Sequence, residues 1–436
     1  MSVNKKPQKD ARSVALTILQ GVIIQGESLN TLISPALENL SAQDKAFAQM
    51  LVYGVLRHRW QIEAILNQLL SKPLKNKDSD IKLLLMMATF QLLDTRVPDY
   101  AAVDAAVKLV KKTGKNWAKA MVNGVLRNIT RQHDELLKKI ELDEQAFYSH
   151  PQWMIEKIKT DWPENWQQIL QANNQQAPMV LRVNAQHFSA QQYAEKLTSE
   201  VQLHDSAEQA LVLQHACDVN ELPGFKDGWF SVQDAGAQLA ATLLACRQGD
   251  RVLDCCAAPG GKTCHMLELQ AELSLLAMDI SEARLKRVQE NLQRLGLSAS
   301  TIVGSAEAPQ DWWDEQLFDR ILLDVPCSAS GVIRRHPDIK SLRREEDIEQ
   351  LIATQRNILN NTWPLLRPGG RLLYATCSIF KQENEQQIEG FLADTDDASE
   401  ILIGEGWGQA RSHGRQILPG EQGMDGFYYA ILQKNP

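Results

Sequence analysis

The chain has no C-x-x-C pair and no regular cysteine spacing; its seven cysteines stand at 217, 246, 255, 256, 264, 327 and 377, all in the second half. An odd, irregular set makes a poor disulfide framework, and a thiolate metal site would want about four soft ligands at characteristic spacing. Reduced thiols, no metal and a cytoplasmic location are expected. Long apolar runs are missing too. The stretch Ile81 to Leu93 contains Lys82 and Gln91 and is shorter than the ~20 residues of a membrane span. The start, MSVNKKPQKDARSVALTILQGVII, is basic and then apolar in the manner of a signal peptide. Gln20 interrupts it, however, and Ala15, Ile18, Leu19 and Val22 fall at helical spacing, which fits the first helix of a folded domain. No heptad pattern appears, so a monomer is expected.

What is present is a chain of 436 residues, 44% hydrophobic and 23% charged, long enough for two or three domains with real cores. The net charge of −8 hides an asymmetry. Residues 1–145 hold 21 Lys and Arg against 15 Asp and Glu, a balance of +6, and the remainder holds 25 against 39, a balance of −14. A basic front suggests a polyanion partner for that part.

Residues 1–145 read as helices throughout. Ser41 precedes AQDKAFAQMLVYGVLRHRW, and Asp78, Ser79 and Asp80 open an apolar core helix. There is no period-two alternation, so an all-helical bundle is expected there. A boundary is placed at Pro151. Residues 150–230 read as a small α+β module whose first strand is MVLRVNAQ, Met179 to Gln186. From Ser231 to the end, strand candidates RVLDCC, SLLAMDI, STIVGSA, FDRILLDV, RLLYATC and FYYAILQK alternate with helical patterns. That predicts a parallel α/β sheet, residues 231–436, with its ligand beyond the carboxyl ends of the strands.

VLDCCAAPGGKT, Val252 to Thr263, is strand, glycine turn and helix, and neither G-x-G-x-x-G nor a P-loop can be laid on it. Gly260 and Gly261 would let a ligand approach the backbone. Asp279 ends the next strand, where a carboxylate can take the hydroxyls of a ribose. Together these favour an adenosine-type cofactor. Two strands then end in an X-Cys-Ser step, LLDVPCS with Cys327 and LLYATCS with Cys377. A disulfide, a metal site, inert buried thiols or catalytic thiols are the possible reasons. Cys217, Cys246, Cys255 and Cys264 fit the inert reading, and Cys255 and Cys256 are read as neighbours in one strand pointing to opposite faces. Cys327 and Cys377 lie at strand ends near Asp324. A thiol, a carboxylic acid and an adenosine cofactor together suit methylation of C5 of a pyrimidine. Thiolate addition at C6 makes C5 nucleophilic, the acid supports N3, and a second group assists elimination.

DCCAAPGGKT, LLDVPCSASGVIRRHPDI and LLYATCS resemble the motifs of the RNA cytosine-5 methyltransferase family, most closely its bacterial branch acting on small-subunit (16S) rRNA. The front segments QMLVYGVLRHRW and AKAMVNGVLRNI resemble a NusB-like RNA-binding domain. The resemblance covers nearly the whole chain. It implies a multidomain protein: an all-α NusB-like bundle, a small α+β linker module and an α/β Rossmann-like class I methyltransferase domain. It implies S-adenosyl-L-methionine as cofactor and RNA as partner. Cys377 would be the nucleophile and Cys327 would assist product release, with Asp324 on the cytosine and near the methyl donor. Cys256, Ala257, Ala258, Pro259, Gly260, Gly261 and Lys262 would form the cofactor loop. Asp279 would sit on the ribose with Arg284 in support, and Lys262 would point into the active site. Where the family usually has an acid near the adenine this chain has Ser305, with Glu307 close by as a substitute. Arg334, Arg335 and His336 would contact phosphate. The rivals are methylation of a cytosine in another RNA and a non-catalytic RNA-binding assembly factor. A small-molecule substrate is disfavoured by the basic front domain.

Overall fold

A computed structural model describes residues 10–436; the basic opening MSVNKKPQK lies outside them. The chain forms two compact units. One holds the chain up to Gln175 together with Ile333–Glu345, and the other holds Gln176–Val332 and Glu346–Pro436.

The first unit is helical. Ala11–Ile23 begins where the Asp10 carboxylate accepts from Ser13 N at 2.9 Å, and Ala42–Arg57 begins where the Ser41 hydroxyl accepts from Asp44 N. Both caps satisfy amides that have no intrahelical partner. Val14, Ala15, Ile18, Leu19 and Val22 turn into the core. The helix Ser79–Asp94 is buried over most of its circumference, from Ile81 through Gln91 apart from Lys82. Asp78 at its N-cap makes no side-chain cap, Asp80 accepts from Ile81 N at 2.9 Å, and Lys115 pairs with Asp78 and Asp80 at 3.0 and 2.6 Å. Among the described residues of this front stretch there is no strand.

Ile333–Glu345 belongs to this unit although it follows Cys327 closely in sequence. Lys340, 1% exposed, donates from Nζ to Arg57 O, Ser149 O and Asn174 Oδ1 at 2.6, 2.7 and 2.8 Å. Burial and the charge of Arg57 push its pKa well down. Asp338 accepts from Leu29 N, and Arg57 donates to Arg334 O. Of the three residues expected to contact phosphate in VIRRHPDI, Arg334 is buried at 4% exposure, whereas Arg335 and His336 are half-buried.

The second unit begins with four short antiparallel strands, β1 (Met179–Val183), β2 (Val201–Leu203), β3 (Ala210–Leu213) and β4 (Phe230–Val232), in the order β2-β3-β1-β4. Leu181, Val183, Tyr193 and Phe230 form its core. The larger sheet contains β5 (Arg251–Cys255), β6 (Ser274–Asp279), β7 (Ser300–Val303), β8 (Phe318–Asp324), β9 (Leu366–Thr376), β10 (Ala398–Ile401), β11 (Gln409–Ala410), β12 (Arg415–Ile417) and β13 (Phe427–Lys434). Its order is β11-β12-β13-β9-β8-β5-β6-β7, with β10 on β13. Strands β5 to β9 are parallel. The expected all-parallel sheet is corrected at its far side, where β13 runs antiparallel to β9. An antiparallel edge on a parallel sheet is common in doubly wound folds. Here Phe427 to Leu432 are all buried, so hydrophobicity carries no sign of direction. The chain runs outward through β5, β6 and β7, then crosses to β8 on the other side of β5, which opens a crevice at the β5/β8 switch point. Among the described residues, no helix is long and apolar enough to cross a membrane.

Candidate active site

Five adjacent strands, β7, β6, β5, β8 and β9, each deliver a residue to one cavity at their carboxyl ends. Ser305 follows β7, Asp279 ends β6, Cys256 follows β5, Asp324 ends β8 and Cys377 follows β9. The cavity is about 320 Å³, within the range of small-ligand sites. Ala258, Arg284, Glu307 and Cys327 also line it, and Ile280, Ala306, Val325 and Ile358 give it apolar walls.

The sulfurs of Cys327 and Cys377 are 3.4 Å apart, fifty residues distant in sequence. All seven cysteines are free. The hydrogen bond to Cys377 pushes the Cys327 thiol well up, with burial and the charges of Cys377 and Glu383 acting the same way. Beside them Lys262 Nζ donates to Asp324 Oδ2 at 2.6 Å. Burial alone would lower the Lys262 pKa, but the charge and hydrogen bond of Asp324 outweigh it and leave it raised, so the ammonium form persists. The remaining thiols are poor nucleophiles by environment. Burial pushes Cys246, Cys256 and Cys264 each up to about 12, and Cys255 well above its usual value.

The loop after β5 is held on several sides. Cys256 lies beyond the strand with φ 62°, not beside Cys255 within it as expected, and only Cys255 is fully buried in the sheet. Ala258 N donates to Asp279 Oδ2, and Ser281 N to Asp279 Oδ1, at 3.2 and 3.0 Å. Arg284 donates to Ala258 O and sits 3.4 Å from the Asp279 carboxyl. Asn291 donates to Pro259 O at 3.0 Å. Gly260 has φ 97°, and a Cβ there would meet Val288 at 3.1 Å. Both the left-handed backbone and the neighbouring helix Glu282–Leu295 therefore favour glycine here. Of the expected loop, Cys256 and Ala258 line the thiol cavity, whereas Ala257, Pro259, Gly260, Gly261 and Lys262 do not. Pro259, Gly260 and Gly261 border a separate cavity of about 230 Å³ with Arg182 and Arg294. Ser305 accepts from Glu307 N through its hydroxyl and from Trp312 Nε1 through its carbonyl.

Three features of the site were not read from the sequence. Arg182 on β1 is fully buried, donates to both oxygens of Glu268 at 2.8 and 2.7 Å and reaches Gly261 O at 2.6 Å, so the small module grips the loop after β5. Asp254 on β5 accepts from Thr263 Oγ1 at 2.5 Å. Glu383 lies beneath both thiol loops. A charged residue within an apolar strand, MVLRV or RVLDC, was the one available signal for Arg182 and Asp254; Glu383 carried none. Among the described residues, no group of three or more His, Cys, Asp or Glu side chains could hold a metal ion.

Comparison with known proteins places these features in context. Residues 241–433 match the family model of 16S rRNA methyltransferase RsmB/F, residues 9–131 that of the NusB family, and residues 150–220 that of an RsmF/B-like ferredoxin-like domain. The chain is 47% identical over 428 residues to ribosomal RNA small subunit methyltransferase B of Vibrio cholerae, covering 98% of both chains. It is 44% identical to the protein of that name from Escherichia coli, covering 98% of this chain and all of the other. The solved structure of a methyltransferase homolog from Pyrococcus horikoshii is 27% identical with a TM-score of 0.60, covering 67% of this chain and 98% of that one. With such identity along almost its whole length, over a NusB-type bundle, a ferredoxin-like module and a Rossmann-like domain, the chain belongs to the RsmB/F family of 16S rRNA methyltransferases.

Proposed function

We propose that the chain transfers a methyl group from S-adenosylmethionine to C5 of a cytosine in 16S rRNA through a covalent cysteine–C6 adduct. The observation that carries this reading is the pair of thiols 3.4 Å apart in the cavity that Asp324 also lines, with Lys262 at 2.6 Å from that carboxyl. The names of the relatives support the ribosomal substrate. The cavity suits the cofactor. Apolar walls can take its adenine, and Asp279, Ser305 and Glu307 offer acceptors around the opening. When bound, S-adenosylmethionine supplies an electrophilic methyl group.

The residues of the chain divide the remaining work. Cys377, as thiolate, forms the bond to C6, and the π-electron pair of the C5–C6 bond moves towards C5. Asp324 hydrogen-bonds the N3 edge of the cytosine, and the Lys262 ammonium holds that carboxyl and provides the proton that N3 takes up. Cys327 is held as a thiol mainly through Cys377. Once the Cys377 sulfur is bonded to carbon, that hydrogen bond and that charge are gone, and the Cys327 thiol becomes more acidic. It then loses its proton to solvent and, as a thiolate, takes the C5 proton. The C5–H electron pair restores the C5–C6 double bond, the C6–S bond breaks with Cys377 leaving as thiolate, and N3 returns its proton to Lys262. The assignment of attack to Cys377 and release to Cys327 follows the resemblance of LLYATCS and LLDVPCS to the family's motifs.

The test is methyl transfer from labelled cofactor to unmodified 16S rRNA, with the product mapped as 5-methylcytosine. One modified cytosine with wild type and none with Cys377→Ala is the expected result. Methylation by Cys377→Ala at the wild-type rate, or at a position other than C5, would overturn the reading.

A further inference from the structure

The serine that follows each thiol has its side chain turned away from the cavity. Ser328, Ser330, Ser378, Gln355 and Glu383 are all 1% exposed or less, and they form one connected set. Glu383 Oε1 accepts from Ser328 N at 2.7 Å and from Gln355 Nε2 at 3.0 Å, and the same Gln355 amide donates to Pro326 O at 2.9 Å. Both residues flanking Cys327 are therefore tied to one carboxyl oxygen. The other oxygen accepts from the Ser378 hydroxyl, which ties the residue after Cys377 to the same group. Gly331 N donates to Cys377 O at 2.9 Å, and a Cβ on Gly331 would fall 2.2 Å from Gly426 O. The Cys327 loop is thus bonded to the Cys377 loop and packed closely against the segment that precedes β13.

The proton count gives the set a direction. Each hydroxyl has one proton. That of Ser378 goes to Glu383, so in its contact with Ser330 at 3.1 Å the Ser378 oxygen accepts. It also accepts from Phe380 N at 3.0 Å. Ser328 donates to Ser330 at 3.0 Å. The chain of donors runs from Ser328 through Ser330 and Ser378 and ends on Glu383. In surroundings this dry, each of these bonds is costly to leave unmade.

We propose that Glu383, acting through Ser328, Ser330 and Ser378, is the positioning centre that sets the separation of the Cys327 and Cys377 thiols. It touches neither thiol and is a positioning residue, not a catalytic one. The inference rests on the proposed reaction for its purpose, since attack and release by neighbouring thiols need that spacing, but its geometry can be tested without RNA. Replacing Glu383 by Gln keeps an acceptor for Ser328 N and Gln355, and its amide can donate to Ser378 with the hydroxyl chain reversed. Replacing it by Leu keeps neither.

The experiment is the rate at which dibromobimane, a short thiol-bridging reagent that fluoresces when doubly alkylated, links Cys327 to Cys377 in the full-length protein. Cys327→Ala and Cys377→Ala give the background from the other cysteines. Glu383→Leu, Ser378→Ala and Ser328→Ala are expected to slow bridging by about tenfold or more, the scale expected for a displacement near 1 Å, and Glu383→Gln to stay within about threefold of wild type. Melting curves identify folded variants. If Glu383→Leu does not fold, the two serine variants decide. Folded variants that bridge at the wild-type rate would overturn the proposal. If the bridging rates separate as expected but Cys327→Ala forms no covalent complex with RNA that wild type methylates, the functional reading fails and the positioning role stands.

Discussion

Asp254 is 1% exposed, and among the described residues its Oδ1 has no hydrogen-bond partner. Burial pushes its pKa up to about 7 from 3.8; the Thr263 hydrogen bond and Lys262 oppose the shift, and Asp324 and Asp279 add to it. The folded state therefore keeps a proton that the unfolded chain releases near its ordinary value. As pH rises between those two values the folded state must give up that proton, so stability falls, and above about 7 the loss is complete. In Asp254→Asn this dependence disappears. Melting temperatures of the two proteins, measured from about pH 4 to 8, should show wild type losing ground to the variant up to about 7 and running parallel beyond it; parallel curves throughout would contradict the assignment. At this scale the sequence was informative where a residue announced itself by position. Cys327, Cys377, Asp324 and Asp279 each close an apolar run, and a strand end in an alternating β/α pattern is where ligands bind. Glu383 and the two serines were not legible. Their role exists only where two loops fifty residues apart meet, and no local pattern records that meeting. Arg334 was read as a phosphate contact and is instead buried, in a segment that belongs to the helical unit.

Among elements, the contact of consequence is between β1 and the loop that follows β5. Arg182 is buried with Glu268 as a bidentate pair and spends a third donor group on Gly261 O and Gln233 Oε1. Removing Arg182 alone would leave a buried carboxylate unpaired and cost about 3–5 kcal/mol. Replacing both partners, as in Arg182→Met with Glu268→Leu, can be close to neutral for stability, yet the Gly261 carbonyl still loses its donor. The double variant should therefore melt near wild type while binding S-adenosylmethionine more weakly, by about tenfold, in calorimetric titration. Wild-type affinity in a folded double variant would mean that Arg182 serves the fold alone. The succession of strands and helices was legible here, and so was the first strand of the small module. The direction of β13 was not, because a strand buried on both faces carries the same apolar run whichever way it points. The strands β10, β11 and β12 were also missed; with two to four residues each, they are too short to establish a period.

For the whole molecule, the basic front stretch builds a helical unit and the more acidic remainder carries the thiols; under the proposed function the first would hold RNA and the second modify it. The fold class of each part followed from pattern. The return of Ile333–Glu345 to the helical unit did not, because Lys340 looks in sequence like any solvated lysine and is instead buried on three oxygen acceptors. The central claim is that two neighbouring thiols divide attack from release, and one measurement addresses it directly. Wild type, Cys327→Ala and Cys377→Ala are incubated with S-adenosylmethionine and unmodified 16S rRNA and resolved on a denaturing gel. A slow-migrating protein–RNA complex should accumulate with Cys327→Ala, which can attack but not release, and none should form with Cys377→Ala. A complex from Cys377→Ala, or none from any variant while wild type methylates the RNA, would contradict the account.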